Sequence, residues 1–254
     1  MYAKNIVKDY DVCIIPHERN FMRKPRAPAR GFFLSRSSMQ RKRVVSFIDG
    51  LNLYHAIDKL YRPELKWIDL RALSQVFLKA LSEKLVDVFY FSSYADHIVG
   101  SVQRQKIYLK ALELKAVTPI LGHFKEKNRK CPKCLHKWTG HEEKETDVNI
   151  ALFILDLAYQ DAFDRAIVIS NDSDLAPAIR MIRKRFPEKC ITTVAPPHCL
   201  HSNELIKASS DKTKIRIEHL ERCLLPTVVT DASRLVSVSR PKEYAPAVLS
   251  LFSK

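Results

Sequence analysis

Short apolar runs that alternate with helix-patterned segments constrain this chain more than any other feature of its sequence. The runs predict five strands, at residues 44–48, 85–91, 117–124, 166–169 and 190–194. Apolar residues recur at helical spacing between them, and residues 146–159 are apolar nearly all round, which predicts a buried helix. Strands that alternate with helices are typical of a parallel sheet covered on both faces. The sequence therefore predicts a three-layer α/β/α sandwich with a mostly parallel sheet.

The same pattern sets the predicted domain limits. Residues 43–225 carry the alternation and are expected to form one α/β domain with a polar insertion at residues 125–145. Residues 1–42 have no sustained periodicity and are rich in Arg, Lys, Pro and Ser, which predicts a flexible basic arm. The pattern fades after the domain, so we expect residues 226–254 to form a loosely held tail. Met39, which lies just before the first strand, is an alternative start of translation.

Charge and cysteine content narrow the class of protein further. The chain has 43 Lys and Arg against 28 Asp and Glu, and its net charge of +15 attracts polyanions. No stretch is apolar enough for a membrane span, and the N-terminus lacks the pattern of a secretory signal. Six cysteines in 254 residues fit a reducing compartment better than a disulfide framework. These features indicate a cytoplasmic protein without a membrane partner.

Acidic residues follow the predicted strands. Asp49 comes directly after the first strand, Asp172 and Asp174 follow the fourth, and Asp147 opens the helix before it. In open α/β sheets the ligand crevice lies outside the carboxyl ends of the strands. We therefore expect the four carboxylates to converge in one crevice.

Carboxylates that share a crevice repel one another, and a hard divalent cation removes that penalty. Mg²⁺ or Mn²⁺ prefers oxygen ligands, can bind substrate phosphate, and can activate water for attack on a phosphodiester. The four acids therefore predict a catalytic Mg²⁺ or Mn²⁺ site. Each acid taken alone has a simpler explanation. Asp49, Asp172 and Asp174 could cap helices, and Asp147 could be an acid in a first turn, where the helix dipole stabilises a negative charge. Asn52 either orients a ligand or only begins a helix.

Three blocks of the sequence resemble the LabA-like NYN domains, which belong to the wider group of PIN-like nucleases. The blocks are FIDGLNLY at residues 47–54, EKETDVNIA at residues 143–151 and IVISNDSDLAPAI at residues 167–179. The resemblance implies a PIN-like fold and a Mg²⁺- or Mn²⁺-dependent endoribonuclease, in which the four acids and Asn52 are catalytic. Asn171 stands where the family usually has Gly, and Asn tolerates the left-handed backbone conformation that Gly adopts.

A Cys131-Pro-Lys-Cys134 motif lies in the polar insertion. Two cysteines two residues apart can bind one Zn²⁺, but a structural zinc site normally has four ligands. His123, His136 and His141 are the nearby candidates, and we expect a structural zinc knuckle from the two cysteines with His141 and His123. The choice among the histidines is open, and the alternative is that the cysteines are free thiols.

Basic side chains outside the acid set are candidates for phosphate binding. The helical ones are Arg104, Arg180, Arg183 and Lys184. A second group, Lys125, Lys127, Arg129 and Lys130, leads into the cysteine motif, and Trp138 could stack on bases of a single strand. Each cation could instead belong to a solvated surface.

The leading functional interpretation is hydrolysis of RNA phosphodiester bonds, with single-stranded or structured RNA as partner. One alternative is a non-catalytic RNA-binding module with a vestigial pocket. Another is a phosphatase with Asp49 as nucleophile, but its usual D-x-D motif would need an acid where this chain has Leu51. The sequence leaves a homo-oligomer or a partner protein open.

Overall fold

A seven-stranded sheet lies at the centre of this computed structural model, which describes residues 41–94 and 100–246. Its strands in chain order are β1 (Lys42–Asp49), β2 (Glu83–Ser93), β3 (Thr118–Lys130), β4 (Lys137–Lys144), β5 (Arg165–Ile169), β6 (Cys190–Ala195) and β7 (Asp211–Lys214). The order across the sheet is β4-β3-β2-β1-β5-β6-β7. Strands β3 and β4 pair antiparallel, and the other neighbouring pairs are parallel. The predicted mostly parallel sheet is confirmed.

Helices cover both faces of the sheet. They are α1 (Gly50–Asp58), α2 (Leu70–Val76), α3 (Ser101–Leu114), α4 (Thr146–Tyr159), α5 (Ala176–Arg185), α6 (Asn203–Ala208) and α7 (Ile217–Arg222). One buried cluster joins the sheet to α1, α2, α3 and α7, and a second joins it to α4, α5 and α6. Alternate residues of β1 enter the two clusters, because successive side chains of a strand point to opposite faces.

The central position of β1 places its carboxyl end in the middle of one sheet edge. Strand β1 pairs with β2 on one side and β5 on the other, and its last six residues are buried. The first helix starts directly at Gly50, where a Cβ atom would lie 2.6 Å from the Phe91 carbonyl oxygen. Glycine at this position allows the close approach of α1 to the end of β2.

Helix α4 differs from the expectation of a fully buried helix. Ile150 and Ile154 face the sheet and are buried, whereas Val148 and Leu152 are 59% and 57% exposed. The helix packs against the sheet along one stripe, so apolar composition on its other side does not bury that side. Helical periodicity predicted its limits, and the packing of the layers decided which residues are covered.

The C-terminal segment also differs from expectation. Residues 226–246 pack against the domain instead of forming a loose tail. The Trp67 indole Nε1 donates a 2.8 Å hydrogen bond to the Pro226 carbonyl, and Val229 is buried in the first cluster. Strands β8 (Val228–Thr230) and β9 (Ser237–Ser239) form a small antiparallel pair. The segment is too short for a clear period, which is why its packing gave no sequence signal.

Two predictions fall partly or wholly outside the described residues. These are the basic arm, of which residues 41 and 42 alone are described, and the end of the C-terminal segment beyond residue 246.

Across the described ranges, every helix is too short or too polar to traverse a lipid bilayer.

Candidate functional site

Asp49 connects the first strand to the first helix at the carboxyl edge of the sheet. Its Oδ1 accepts a 2.9 Å hydrogen bond from the backbone N–H of Asn52, which caps α1. Its Oδ2 accepts a 2.8 Å hydrogen bond from the Ser170 hydroxyl, which follows β5. Capping therefore explains one oxygen of this buried carboxylate, and the other is held by a neighbouring strand end.

The loop after β5 is tied to the same point. The Ser170 hydroxyl also accepts a 3.0 Å hydrogen bond from the backbone N–H of Asp172. The Asn52 side-chain carbonyl accepts a 3.1 Å hydrogen bond from the backbone N–H of Asn171, so this asparagine positions the loop. Asp172 Oδ1 in turn accepts from the backbone N–H of Asp174 at 2.9 Å. A continuous polar network thus sets the positions of Asp49 and Asp172.

The start of α4 brings two further carboxylates. Asp147 lies in the first turn of the helix. Glu143, near the end of β4, accepts hydrogen bonds from both the backbone N–H and the hydroxyl of Thr146. We did not single out Glu143 from the sequence, because it lies on the antiparallel strand β4, to which the rule about the carboxyl ends of parallel strands does not apply. Its strand was hidden in a segment that we interpreted as a polar insertion.

These groups surround one cavity of about 230 Å³. Its lining residues are Asp49, Leu51, Asn52, His55, Glu143, Thr146, Asp147 and Asp172. Three of the four predicted aspartates therefore converge. Asp174 is exposed and is absent from the lining, and its backbone N–H donates the hydrogen bond to Asp172.

Burial and mutual repulsion change the acidity of the site. The pKa of Asp147 is raised to about 7, mainly by burial and in addition by the negative charges of Asp49, Asp172, Glu143 and Asp174. Burial raises the pKa of Asp49 to about 6, although its hydrogen bonds from Asn52 and Ser170 oppose this. Two carboxyl groups of the cavity therefore titrate near neutral pH.

The oxygen donors of the cavity fit a hydrated divalent cation. Within residues 41–94 and 100–246, no three His, Cys, Asp or Glu side chains already form a compact ligand group. Mg²⁺ does not need one, since it keeps several waters and is usually bound through one or two carboxylates plus substrate phosphate. Raised pKa values are also what uncompensated carboxylates show, and a cation would lower them. Asp49, Asp147, Asp172 and Glu143 are the residues that could hold it.

The predicted zinc ligands are not brought together. Cys131 and Cys134 lie in the turn between β3 and β4, and the pKa of the Cys131 thiol is lowered by hydrogen bonds from the backbone N–H groups of Cys134 and Lys133. At the usual strand rise, His141 lies roughly 13 Å from the end of β4 that joins the turn, because four residues separate them. His123 lies roughly 23 Å from the corresponding end of β3, at a separation of seven residues.

The extended hairpin keeps the two histidines away from the cysteines. Strand pairing holds His123 opposite Lys144 and His141 opposite Glu126, so neither can fold back toward the cysteines. The His123 side chain lies 3.3 Å from Glu145 instead. The turn keeps its two thiols, but the set of Cys131, Cys134, His141 and His123 does not form a zinc site.

The predicted helical phosphate-binding residues lie away from the cavity lining. The Arg183 guanidinium donates to the backbone carbonyls of Ala208 and Ser209, at the end of α6. Arg180 lies 3.7 Å from Glu204, and Arg104 lies 3.5 Å from Glu243. Of the four, Lys184 alone has no such contact among the described residues, and it is exposed on α5.

Comparison with known proteins identifies relatives of this chain. It is 28% identical over 243 residues to 6-hydroxy-3-succinoylpyridine 3-monooxygenase HspA of Pseudomonas putida (strain DSM 28022 / S16), a match that covers 75% of this chain and 74% of that protein. A crystal structure of a protein of unknown function, VPA0982 from Vibrio parahaemolyticus RIMD 2210633, matches with a TM-score of 0.50 and 18% identity, over 74% of this chain and 99% of that chain. The latter likeness supports the fold alone.

The NYN domain family matches residues 43–220, a span that includes all the cavity-lining residues and, except for the first residue of β1, every strand of the central sheet. Because this match extends over most of the chain, the protein belongs to the NYN domain family, within the PIN-like nuclease superfamily.

Proposed function

We propose that the protein is a metal-dependent ribonuclease that hydrolyses RNA phosphodiester bonds. The convergence of Asp49, Glu143, Asp147 and Asp172 on one cavity carries this proposal. Membership of a nuclease-related family and a net charge of +15 support it, because a polyanionic substrate must approach a cluster of carboxylates.

Asp49 and Asp172 are proposed as the principal ligands of Mg²⁺ or Mn²⁺. Their positions are set by the shared Ser170 hydroxyl, which contacts the carboxylate of one and the backbone of the other. A bound ion would polarise the scissile phosphate and lower the pKa of a coordinated water. Asp174 contributes negative charge from outside the cavity lining.

Asp147 is proposed as the proton acceptor. Its carboxyl group lines the cavity beside the proposed ion ligands, and a general base must lie within reach of the proton that it takes. One of its oxygens takes a proton from the water whose oxygen attacks phosphorus, while the bond from phosphorus to the departing ribose oxygen breaks. His55, the imidazole in the cavity lining, is placed to return a proton to that oxygen.

The test compares two acids of the same helix. Wild-type protein, Asp147→Asn and Asp156→Asn are each incubated with end-labelled single-stranded RNA, with Mn²⁺ or with EDTA. Asp156 is exposed and accepts a hydrogen bond from Gln160, so its variant is a matched control. We expect Mn²⁺-dependent cleavage by wild type and control, and a loss of about 100-fold or more for Asp147→Asn.

Asp49→Asn extends this test, because asparagine also caps helices and should leave the fold intact. Undiminished cleavage by either cavity variant would refute the proposal. Tight RNA binding without cleavage by the wild-type protein would favour the non-catalytic module. Hydrolysis of p-nitrophenyl phosphate without cleavage of RNA would favour the phosphatase. Oxygen-dependent conversion of 6-hydroxy-3-succinoylpyridine would favour the activity in the name of the Pseudomonas relative.

A further inference from the structure

The β3–β4 hairpin projects beyond the rest of the sheet. Strand β2 pairs with β3 as far as Gly122, and from His123 onward β3 pairs with β4 in the part of the chain that the structure describes. The eight residues from His123 to Lys130 extend roughly 25 Å at the usual strand rise. No residue of this projecting hairpin (residues 123–144) belongs to either buried apolar cluster of the described chain. The domain core therefore does not explain its length.

One face of the projecting hairpin is cationic. Lys125, Lys127 and Arg129 are all exposed, and they share a face because they alternate along β3 at intervals of roughly 7 Å. Arg129 lies against Gly140, where a Cβ atom would come within 2.9 Å of its Nε. The unbroken register also places Lys144 on this face and Glu142 opposite Lys125, so positive positions outnumber negative ones.

The same face carries an exposed aromatic pair at its outer end. Trp138 is directly opposite Arg129 in the register and is 45% exposed. The His136 ring stacks on it, with ring centroids 6.2 Å apart and planes 15° apart. The other tryptophan, Trp67, is fully buried in the core. An exposed, stacked tryptophan beside evenly spaced cations matches the surfaces that bind single-stranded nucleic acid.

We propose that this face binds single-stranded RNA, with phosphates on Lys125, Lys127 and Arg129 and a base stacked on Trp138. The inference deepens the proposed function and rests on it for the fate of the RNA. Strand β4 runs from Trp138 to Glu143, which lines the carboxylate cavity. Because Trp138 and Glu143 are five residues apart, their side chains lie on opposite faces of the hairpin, so RNA on the cationic face would reach the cavity around the edge of the hairpin.

The first test measures binding separately from cleavage. Anisotropy of a labelled single-stranded RNA of about 12 nucleotides is followed in EDTA at several salt concentrations. The test protein is the triple variant Lys125→Ala, Lys127→Ala, Arg129→Ala. We expect affinity to fall at least about tenfold, and the slope of log K against log salt to shrink by about 2, because each phosphate contact contributes about 0.7.

A matched variant controls for total charge. Lys59→Ala, Lys79→Ala, Lys84→Ala removes the same charge from exposed residues outside the hairpin. We expect its salt slope to stay close to that of wild type. Equal losses in the two triple variants would overturn the proposal, since they would show a response to net charge alone.

The second test uses tryptophan emission as a built-in reporter. Because Trp67 is buried, RNA should quench Trp138, and Trp138→Phe should abolish the quenching. Trp138→Ala should weaken binding about fivefold or more. Single-stranded DNA of the same sequence tests the sugar requirement, and a duplex should quench less because its bases are already stacked. Quenching that persists in Trp138→Phe would contradict the stacking role.

The two proposals fail in different ways. Hairpin-dependent binding without Mn²⁺-dependent cleavage would overturn the ribonuclease and leave the hairpin inference standing. Efficient RNA cleavage, together with RNA affinity that the hairpin substitutions do not change, would overturn the hairpin inference and leave the ribonuclease proposal standing.

Discussion

Asp49 shows at the scale of one residue how a structural and a chemical role coexist. One carboxylate oxygen caps α1, and the other is hydrogen-bonded to Ser170 at the end of the neighbouring strand. The cap fixes the side chain where the carboxyl ends of β1 and β5 meet. The choice between a cap and a site residue is therefore not exclusive at this position.

The pKa of Asp147 predicts an unusual dependence of stability on pH. Its pKa is about 7 in the folded protein and about 3.9 in an unfolded chain, so between these values the folded state binds more protons. Stability should therefore fall as pH rises from 4 to 7. Asp147→Asn removes the need to ionise a buried carboxyl group. We therefore expect it to raise the free energy of unfolding at pH 8 by about 1 kcal/mol, after allowance for solvent screening.

Urea unfolding of both proteins in EDTA at pH 4 and pH 8 measures this effect. Near pH 4 the two proteins should differ little, because the wild-type carboxyl is then mostly neutral when folded. A variant that is equally stable or less stable at pH 8 would contradict the raised pKa of Asp147.

Ser170 offers a test of the network itself. Ser170→Ala removes the hydroxyl that donates to Asp49 and accepts from Asp172, and we expect a loss of about 1–2 kcal/mol in unfolding free energy. It should also raise the pKa of Asp49 further, so Mn²⁺ binding measured by calorimetry at pH 6 should weaken. Ser74→Ala, which removes a buried hydroxyl bonded to Ser46, should reduce stability and leave Mn²⁺ binding unchanged. Unaltered Mn²⁺ binding in Ser170→Ala would argue against its positioning role.

At the scale of secondary-structure elements, a buried ion pair links strands at the amino edge of the sheet. Arg165 on β5 lies 2.7 Å from Glu83 on β2, and β1 runs between those two strands. The Arg165 guanidinium also donates to the Phe77 carbonyl and the Thr192 hydroxyl. This pair lies at the edge opposite the cavity, so it bears on the stability of the sheet.

Removal of one partner should be costly. Glu83→Ala would leave the Arg165 charge buried and uncompensated, and we expect a loss of about 3–5 kcal/mol in unfolding free energy. The matched control is Glu221→Ala, which breaks the exposed pair with Arg62 and should cost less than about 1 kcal/mol. Chemical denaturation measures both values. Similar losses in the two variants would show that burial of the pair does not matter.

At the scale of the whole molecule, the C-terminal segment completes the first core cluster. It supplies Val229 to that cluster and a carbonyl acceptor, from Pro226, to the buried Trp67 indole. Deletion of residues 226–254 would leave the indole N–H without this partner and expose apolar surface.

We expect that deletion to lower the unfolding free energy by at least about 2 kcal/mol and to shift Trp67 emission to the red. Trp138→Phe is used as the background, so that the emission comes from Trp67. A second deletion, of residues 247–254, leaves the Pro226 and Val229 contacts in place and should change neither quantity. Equal stability of the two truncated proteins would show that the segment does not support the core.

The sequence alone determined the layered fold and most of the candidate site. The alternation of strands and helices predicted the parallel sheet, and helical spacing predicted α4 at residues 146–159. Asp49, Asp147 and Asp172 could be identified because parallel topology gathers the carboxyl ends of strands on one edge. Local periodicity carries this information, since it reflects which residues face a core.

Tertiary structure decided the features that have no hydrophobic periodicity along the sequence. The projecting hairpin buries no apolar face, so its strands, and with them Glu143, were hidden in a polar segment. Strand pairing separated His123 and His141 from the cysteines, although their spacing along the chain suggested a common site. The packing of residues 226–246 likewise depends on contacts with distant parts of the chain, such as Trp67, which no local pattern encodes.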